Sequence, residues 1–285
     1  MSGARKLSAL ALVATAALVG CGSSSGGAVN IPHVAPARQF VLSGFQPSVP
    51  VRPGQPTAIS FTVRTPNGQP LTSYKVGAGP HTGVHLIIVR DDLAYIIHDH
   101  PPVGPGGLLH QSVTFPAPGT YRVLADLYPN LPGTQPNFQL FTTVKVSGAY
   151  KPKRLPPFTA DQQVDGLHVN MQGHPRLHAI QAQFINVSVT DSSGNKVNFT
   201  PWFGALAHAI FFHRGSLDYF HTHVCAAGAT NCSSVLGGSS VTGRSTTPGK
   251  LSLGVLLPVP GTWRLFLQMK VAGRIVTVPY TLNVA

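Results

Sequence analysis

The chain has 285 residues, a length that favours two domains. Hydrophobic residues make up 43% of it, enough for a core in each half, whereas charged residues make up only 10%, against about 25% in a typical soluble protein. The formal charge of +12 could favour binding to an anionic membrane or envelope polymer. The alternative is that these charges simply form a basic surface in contact with solvent. Nucleic acid is not expected as a partner, because no basic run is interleaved with aromatic residues.

The N-terminus has the pattern of an export signal. Two cations precede an apolar run, residues 7–19, that is too short for a typical membrane-spanning helix. The run ends in Leu-Val-Gly-Cys, which resembles a bacterial lipobox. We therefore expect a signal peptide over 1–20, lipidation (palmitate) of Cys21, a flexible tether over 21–38, and a position on the extracytoplasmic (periplasmic) side of the membrane. An ordinary signal peptide with an incidental cysteine is the alternative.

After the tether, the pattern is one of short strands separated by turns. Turn signals rich in Gly, Pro and Asn recur about every ten residues, as in β-sandwiches of immunoglobulin-like type. The sequence therefore predicts an all-β fold with a first sandwich over 39–148. The clearest predicted strands cover 58–63, 108–115, 120–127 and 138–146.

The same plan occurs a second time. A Pro- and Lys-containing linker over 149–163 precedes a second predicted sandwich over 164–285. Phe-Pro-Ala-Pro-Gly-Thr-Tyr-Arg at 115–122 returns as Leu-Pro-Val-Pro-Gly-Thr-Trp-Arg at 257–264. The second copy also contains a longer insert, residues 224–250. Two tandem immunoglobulin-like modules are therefore expected.

Each predicted module contains a histidine-rich hairpin. Residues 85–100 (HLIIVRDDLAYIIHDH) and 208–223 (HAIFFHRGSLDYFHTH) share the spacing His-x12-His-x-His. A two-residue loop, at 91–92 and at 214–215, would place the first histidine of each hairpin opposite the second. Because side chains alternate along a strand, all three imidazoles of a hairpin would then lie on one face.

Three imidazoles on one face suggest a metal site. Imidazole suits Cu(II) and Zn(II), and the scarcity of methionine argues against a Cu(I) thioether site. The predicted ligands are His85, His98 and His100 in the first hairpin and His208, His221 and His223 in the second. Asp126, which aligns with Gln268, is a candidate fourth ligand or an outer acceptor for a ring N–H. The leading function is binding of a divalent transition metal, copper favoured.

Two other functions stay open. The histidines can be structural, in a non-catalytic adhesion or scaffold module. A metal hydrolase with an open coordination position is a further alternative, but carboxylates are few and no nucleophile elbow or phosphate loop occurs, so an enzyme is not expected.

Two further cysteines follow the second hairpin. In an exported protein, Cys225 and Cys232 are expected to form a disulfide that closes the insert. The alternative is a mixed thiolate–imidazole site that combines these cysteines with His221 and His223.

The chain resembles a group of exported bacterial lipoproteins with tandem immunoglobulin-like modules. The group carries stretches such as HLIVVRRDL…HLHP and PGTYRVFADF, then PYLGALGHLVVLREGDLAYLHVHP and GTYRLFLQF. The matching text here lies at 85–93, 98–101 and 118–126, then at 201–208, 217–223 and 261–268. The resemblance implies the fold and an association with metal handling. The chain departs from the group after His223, where Val224 and Cys225 replace the usual proline.

Overall fold

Regular structure in this chain is almost entirely β-strand. The computed structural model describes residues 39–75, 83–133, 136–227, 234–236, 239–241, 243–245 and 247–285. Over these residues it contains strands and one 3-10 turn, Pro105–Gly107, so the predicted all-β class is confirmed. The predicted signal peptide, Cys21 and the tether lie outside the described residues. No helix in the described ranges is long and apolar enough to cross a membrane.

The first half is a seven-stranded sandwich. A three-stranded sheet, in the order β1-β2-β5, packs against a four-stranded sheet, in the order β4-β3-β6-β7. The strands are β1 (Val41–Gln46), β2 (Pro56–Arg64), β3 (Val84–Arg90), β4 (Ile96–Asp99), β5 (Leu109–Thr114), β6 (Gly119–Leu127) and β7 (Phe138–Val146).

The second half repeats these two sheets and adds strands. Its strands are β8 (Asp161–Val164), β9 (Leu167–Met171), β10 (Gln183–Asp191), β11 (Phe199–Thr200), β12 (Ala207–His213), β13 (Tyr219–Ala226), β14 (Ser234–Leu236), β15 (Ser239–Val241), β16 (Gly243–Ser245), β17 (Lys250–Val255), β18 (Gly261–Val271) and β19 (Arg274–Val284). The order β13-β12-β18-β19 matches β4-β3-β6-β7, and β9-β10-β17 matches β1-β2-β5. Strand β16 pairs with both β13 and β17, so the two sheets of this half form one continuous sheet.

A side-chain hydrogen bond anchors the same corner in both halves. The Tyr121 hydroxyl donates to the carbonyl of Ala117 at 2.9 Å, and the Trp263 indole N–H donates to the carbonyl of Val259 at 3.0 Å. A tyrosine at this position is a hallmark of immunoglobulin-like sandwiches. The duplicated Pro-Gly-Thr-aromatic motif therefore fixes the turn that leads into β6 and β18.

Strands β3 and β12 are buried on both faces. Along β3, Val84, Leu86 and Ile88 belong to the core of the first half, while Ile87 and Val89 on the opposite face contact residues of the second half. The third hydrophobic cluster contains apolar side chains from both halves: Ile87, Val89, Leu93, Leu124, Ile210, Phe212 and Phe266. The outer faces of the two four-stranded sheets therefore pack against each other, which explains why neither strand alternates between apolar and polar residues.

A hydrogen bond also joins the two halves. Arg122 on β6 donates through Nη1 to the carbonyl of Leu217 at 2.9 Å, in the loop between β12 and β13. Arg38–Ala285 accordingly forms one compact unit. The division at residues 149–163 into separate domains stays a prediction.

Candidate metal centre

Both histidine hairpins form, but with longer loops than expected. Ile87 pairs with His98 and Leu86 with Asp99, and in the second hairpin His208 pairs with His223. The predicted opposition of His85 to His98, and of His208 to His221, was therefore wrong by two residues. The last backbone hydrogen bonds before each loop run from Arg90 to Tyr95 and from His213 to Asp218, so the loops contain four residues, 91–94 and 214–217, not two. A shift of two residues leaves every side chain on the same face of the sheet. The three histidines of each hairpin therefore still share one face, as predicted.

The six predicted histidines form a single cluster. The two hairpins were expected to present separate sites, but their histidine faces lie against each other at the contact between the halves. The ring centroids of His85 and His221 are 5.1 Å apart, and those of His98 and His208 are 5.0 Å apart. The histidine cluster, as we call it, consists of His85, His98, His100, His208, His221 and His223.

Four members of the cluster are close enough to bind one ion. His85, His98, His208 and His221 each offer a ring nitrogen, and these four atoms all lie within 4.8 Å of one another. Nδ1 of His208 and Nε2 of His221 are 3.2 Å apart. Nitrogen ligands of one tetrahedral ion lie about 3.3 Å apart when each is 2.0–2.1 Å from the metal. Two histidines of this group come from each half.

Hydrogen bonds around the cluster fix which ring nitrogen faces inward. Nδ1 of His98 donates to Oε1 of Gln268 at 3.0 Å, and Nε2 of His208 donates to the carbonyl of Trp202 at 2.9 Å. A carbonyl oxygen only accepts, so each of these nitrogens carries the proton when the ring is neutral. The lone pair is then on Nε2 of His98 and on Nδ1 of His208. Such outer hydrogen bonds orient the histidine ligands of most metal sites.

Asp126 lies beside the cluster and is almost fully buried. It pairs with His85 across β3 and β6, as Gln268 pairs with His208 across β12 and β18, so the alignment of the two residues is confirmed. Its carboxylate accepts hydrogen bonds from Gln139 at 2.9 Å and from the hydroxyl of Tyr219 at 3.3 Å. Oδ2 lies 3.9 Å from Nδ1 of His221, which is beyond hydrogen-bond distance. This position favours an outer role over direct ligation.

An aromatic turn, Trp202 and Phe203, covers one side of the cluster. The Trp202 ring lies edge-to-face against His98 and His208, with centroids 5.2 and 5.0 Å away. Phe203 stacks on His100 with centroids 3.6 Å apart and an interplanar angle of 11°. Phe203 has a φ of 47°, in the left-handed region that bulky residues rarely adopt. In the sequence, this turn belongs to the stretch 201–208 that matches the resembled group, but its contact with the histidines was not predicted.

Burial keeps four rings of the cluster, those of His85, His98, His100 and His208, in the neutral form. His85 and His208 are 0% exposed. Burial, helped by the neighbouring imidazoles, holds the pKa of His85 and of His98 well below the usual range. Burial also lowers the pKa of His100 to about 3 and that of His208 to about 4. Neutral imidazoles are the form that binds metal, so these rings are ready as ligands at neutral pH.

Two further histidines and Cys225 are not members of the cluster. His213 donates through Nδ1 to the Ser216 hydroxyl at 2.7 Å, and that hydroxyl donates to Asp218. His213 also contacts Trp263, and His110 is exposed. Cys225 is buried on β13, but the group of close ligand atoms found among the described residues does not include it. Cys232 lies outside the described residues, so the expected disulfide stays a prediction.

Several solved structures are distantly similar to this chain. The chain is similar to the alpha-2-macroglobulin of E. coli (9% identity, TM-score 0.28, covering 87% of this chain and 16% of that one). It is also similar to a Salmonella alpha-2-macroglobulin mutant (16% identity, TM-score 0.26, covering 88% and 15%) and to invasin, a bacterial integrin-binding protein (15% identity, TM-score 0.23, covering 86% and 38%). The chain thus spans about a sixth of the length of the two macroglobulins, and these likenesses carry no functional argument.

Family membership comes from the sequence profile. A comparison with curated proteins finds no match. The profile of one family covers most of both halves, at residues 45–146 and 162–285. The chain therefore belongs to the family described as Domain of unknown function (DUF8832).

Proposed function

We propose that this protein binds one divalent transition metal ion between its two halves, through His85, His98, His208 and His221. The observation that supports the proposal is the approach of these four ring nitrogens to within 4.8 Å of one another in a buried site. The spacing of the histidines alone predicts one ion for each hairpin. The merged cluster favours a single shared ion instead.

A purely structural role explains the cluster less well. Buried polar atoms are normally hydrogen-bonded, and leaving one without a partner costs about 1–3 kcal/mol. Among the described residues, Nε2 of His98 and Nε2 of His100 are buried and have no hydrogen-bond partner. A bound ion would accept the lone pair of His98 Nε2. A purely structural role in an adhesion or scaffold module leaves that buried atom without a partner.

The ligand set favours Cu(II), with Zn(II) as the second choice. All four close ligands are imidazoles, and a nitrogen site binds Cu(II) more tightly than Zn(II) in the usual order of divalent ions. Asp126 adds one carboxylate near the cluster, which partly balances the charge of a divalent ion. A binding role without catalysis is proposed, since carboxylates are few and the sequence contains no nucleophile elbow or phosphate loop.

The cellular setting is also a proposal. The charge, apolar run and Cys21 of the N-terminus support export and attachment to the extracytoplasmic face of a membrane through a lipid. In that oxidising setting, a disulfide between Cys225 and Cys232 would close the insert after the second hairpin. Thiol titration of the folded protein, with and without reductant, tests the disulfide.

Metal analysis of the purified full chain tests the function. After loading with Cu(II) or Zn(II) and dialysis, we expect about one ion per chain in the wild type and close to none in His98→Ala and His221→Ala. His110→Ala and His168→Ala, which change exposed histidines on β5 and β9, serve as matched controls and should keep the ion. Equal metal content in all five proteins would favour the scaffold function.

A further inference from the structure

Gln268 contacts a histidine of the other half. It lies on β18 in the second half, and its Oε1 accepts a hydrogen bond from Nδ1 of His98 on β4 of the first half at 3.0 Å. Gln268 is 5% exposed and His98 is 7% exposed, so water does not compete strongly for this bond. The two residues are 170 positions apart in the chain. The bond therefore exists only when the halves are in contact.

The orientation of the Gln268 amide is itself fixed. Its Nε2 donates to Oγ1 of Thr277 on the neighbouring strand β19 at 3.0 Å. This second bond leaves Oε1 as the atom that faces His98. A carbonyl oxygen cannot donate, so the amide selects the tautomer of His98 that carries its proton on Nδ1.

We propose that Gln268 is a positioning residue of the metal site: it holds His98 in the Nδ1–H tautomer and thereby makes Nε2 the ligand atom. The inference rests on the proposed function for its consequence, but the tautomer itself is independent of metal. Nε2 of His98 is buried and has no hydrogen-bond partner among the described residues. Loss of a comparable outer hydrogen bond weakens metal binding about 10–100-fold in known sites.

The arrangement makes the site depend on both halves in a second way. The second half contributes His208 and His221 as ligands and also orients a ligand of the first half. Asp126 is the equivalent of Gln268 in the first half, and its Oδ2 lies 3.9 Å from Nδ1 of His221 in the second half. Each half therefore places one polar side chain beside a histidine of the other half. Of the two residues, only Gln268 is within hydrogen-bond distance of its histidine partner in the other half.

Nitrogen NMR of the metal-free full chain, labelled with ¹⁵N-histidine, tests the tautomer directly. The signals of His98 are identified as those missing from His98→Ala. We expect the Nδ1–H tautomer in the wild type and in Gln268→Glu, which keeps an oxygen acceptor. Gln268→Met has a similar volume but no acceptor, and in it the Nε2–H form should appear. Thr277→Val, which releases the amide, should give a mixture and provides a second variant if Gln268→Met fails to fold.

Cu(II) titration of the same proteins tests the consequence. Gln268→Met should bind Cu(II) about 10–100-fold more weakly than the wild type, and Gln268→Glu should regain most of the affinity. Gln162→Met, on β8 and away from the cluster, is the matched control. The proposal is overturned if the His98 tautomer is the same in the wild type and Gln268→Met, or if Gln268→Glu and Gln268→Met weaken binding equally. A wild type that binds no ion but shows the expected tautomers would refute the proposed function alone.

Discussion

Asp126 and Gln268 occupy equivalent positions in the two halves, and each directs its side chain to a histidine of the other half. Asp126 pairs with His85, and its Oδ2 lies 3.9 Å from Nδ1 of His221. Gln268 pairs with His208, and its Oε1 lies 3.0 Å from Nδ1 of His98. The duplicated fold therefore brings its two hairpins together around a shared centre. The two sides differ in charge, because one residue is a carboxylate and the other an amide.

Neutralising Asp126 should weaken metal binding without removing it. Asp126→Asn keeps the size of the side chain and its contact with Tyr219 but removes the only carboxylate that pairs with the cluster among the described residues. We expect the dissociation constant for Cu(II) to rise about tenfold, since outer partners contribute on this scale. Asp161→Asn, an exposed change on β8, is the control. An unchanged dissociation constant for Cu(II) in Asp126→Asn would show that the carboxylate does not contribute to metal binding.

The metal-free protein should lose stability as the pH falls below about 6.5. The folded-state pKa of His208 is lowered to about 4 and that of His100 to about 3, so between these values and 6.5 the unfolded chain binds more protons than the folded one. Each such histidine should reduce the free energy of unfolding by about 1.4 kcal/mol per pH unit in that window. Denaturant unfolding between pH 7 and 4.5 measures the slope.

Two observations would check this pH dependence further. His110→Ala, which changes an exposed histidine, should show the same slope as the wild type. Saturating Cu(II) or Zn(II) should raise the stability throughout but leave the slope between pH 6.5 and 4.5 unchanged, because these folded-state histidines hold few protons in that window with or without the ion. A metal-free protein whose stability is constant from pH 7 to 4.5 would mean that the buried histidines do not stay neutral.

Trp202 should report Cu(II) binding by fluorescence. Its ring lies 5.0 Å from that of His208 and 5.2 Å from that of His98, and a paramagnetic ion so near an indole quenches its emission. The chain has two tryptophans, and Trp263 lies in the core of the second half. We expect saturable quenching by Cu(II) and little by Zn(II). Quenching of the same fraction in Trp202→Phe would place the bound ion elsewhere.

The apolar contact between the halves should support metal binding indirectly. Phe212 is 0% exposed and packs in the third hydrophobic cluster, whereas its neighbour Phe211, also 0% exposed, faces the core of the second half. Phe212→Ala and Phe211→Ala should each cost about 3–5 kcal/mol of stability. Only Phe212→Ala loosens the contact that aligns the two hairpins. It should therefore weaken Cu(II) binding more than Phe211→Ala does, and equal weakening by both variants would contradict this.

The strands and the histidine faces could be predicted because they depend on local patterns. Alternation assigned His98 and His100 to one face, and any even change in loop length leaves His85 on that same face. The loop length itself could not be predicted from the sequence, since a four-residue connection with Leu93 or Leu217 at positive φ carries no strong turn motif.

The merging of the two sites could not be predicted from periodicity alone. Alternation indicates which residues share a face, but not which other sheet covers that face. A signal was nevertheless present in β3 and β12: the positions that alternate with the core, Ile87 and Val89 in one strand and Ile210 and Phe212 in the other, are all apolar. A free-standing sandwich would expose them, so their apolar character indicates a second covered surface.

The number of ions bound per chain tests the shared site most directly. Calorimetric titration of the metal-free full chain with Cu(II) should give one high-affinity ion, and His85→Ala in the first half and His208→Ala in the second should each abolish it. Two ions in the wild type, with one lost in each variant, would contradict the shared site and restore a separate centre on each hairpin.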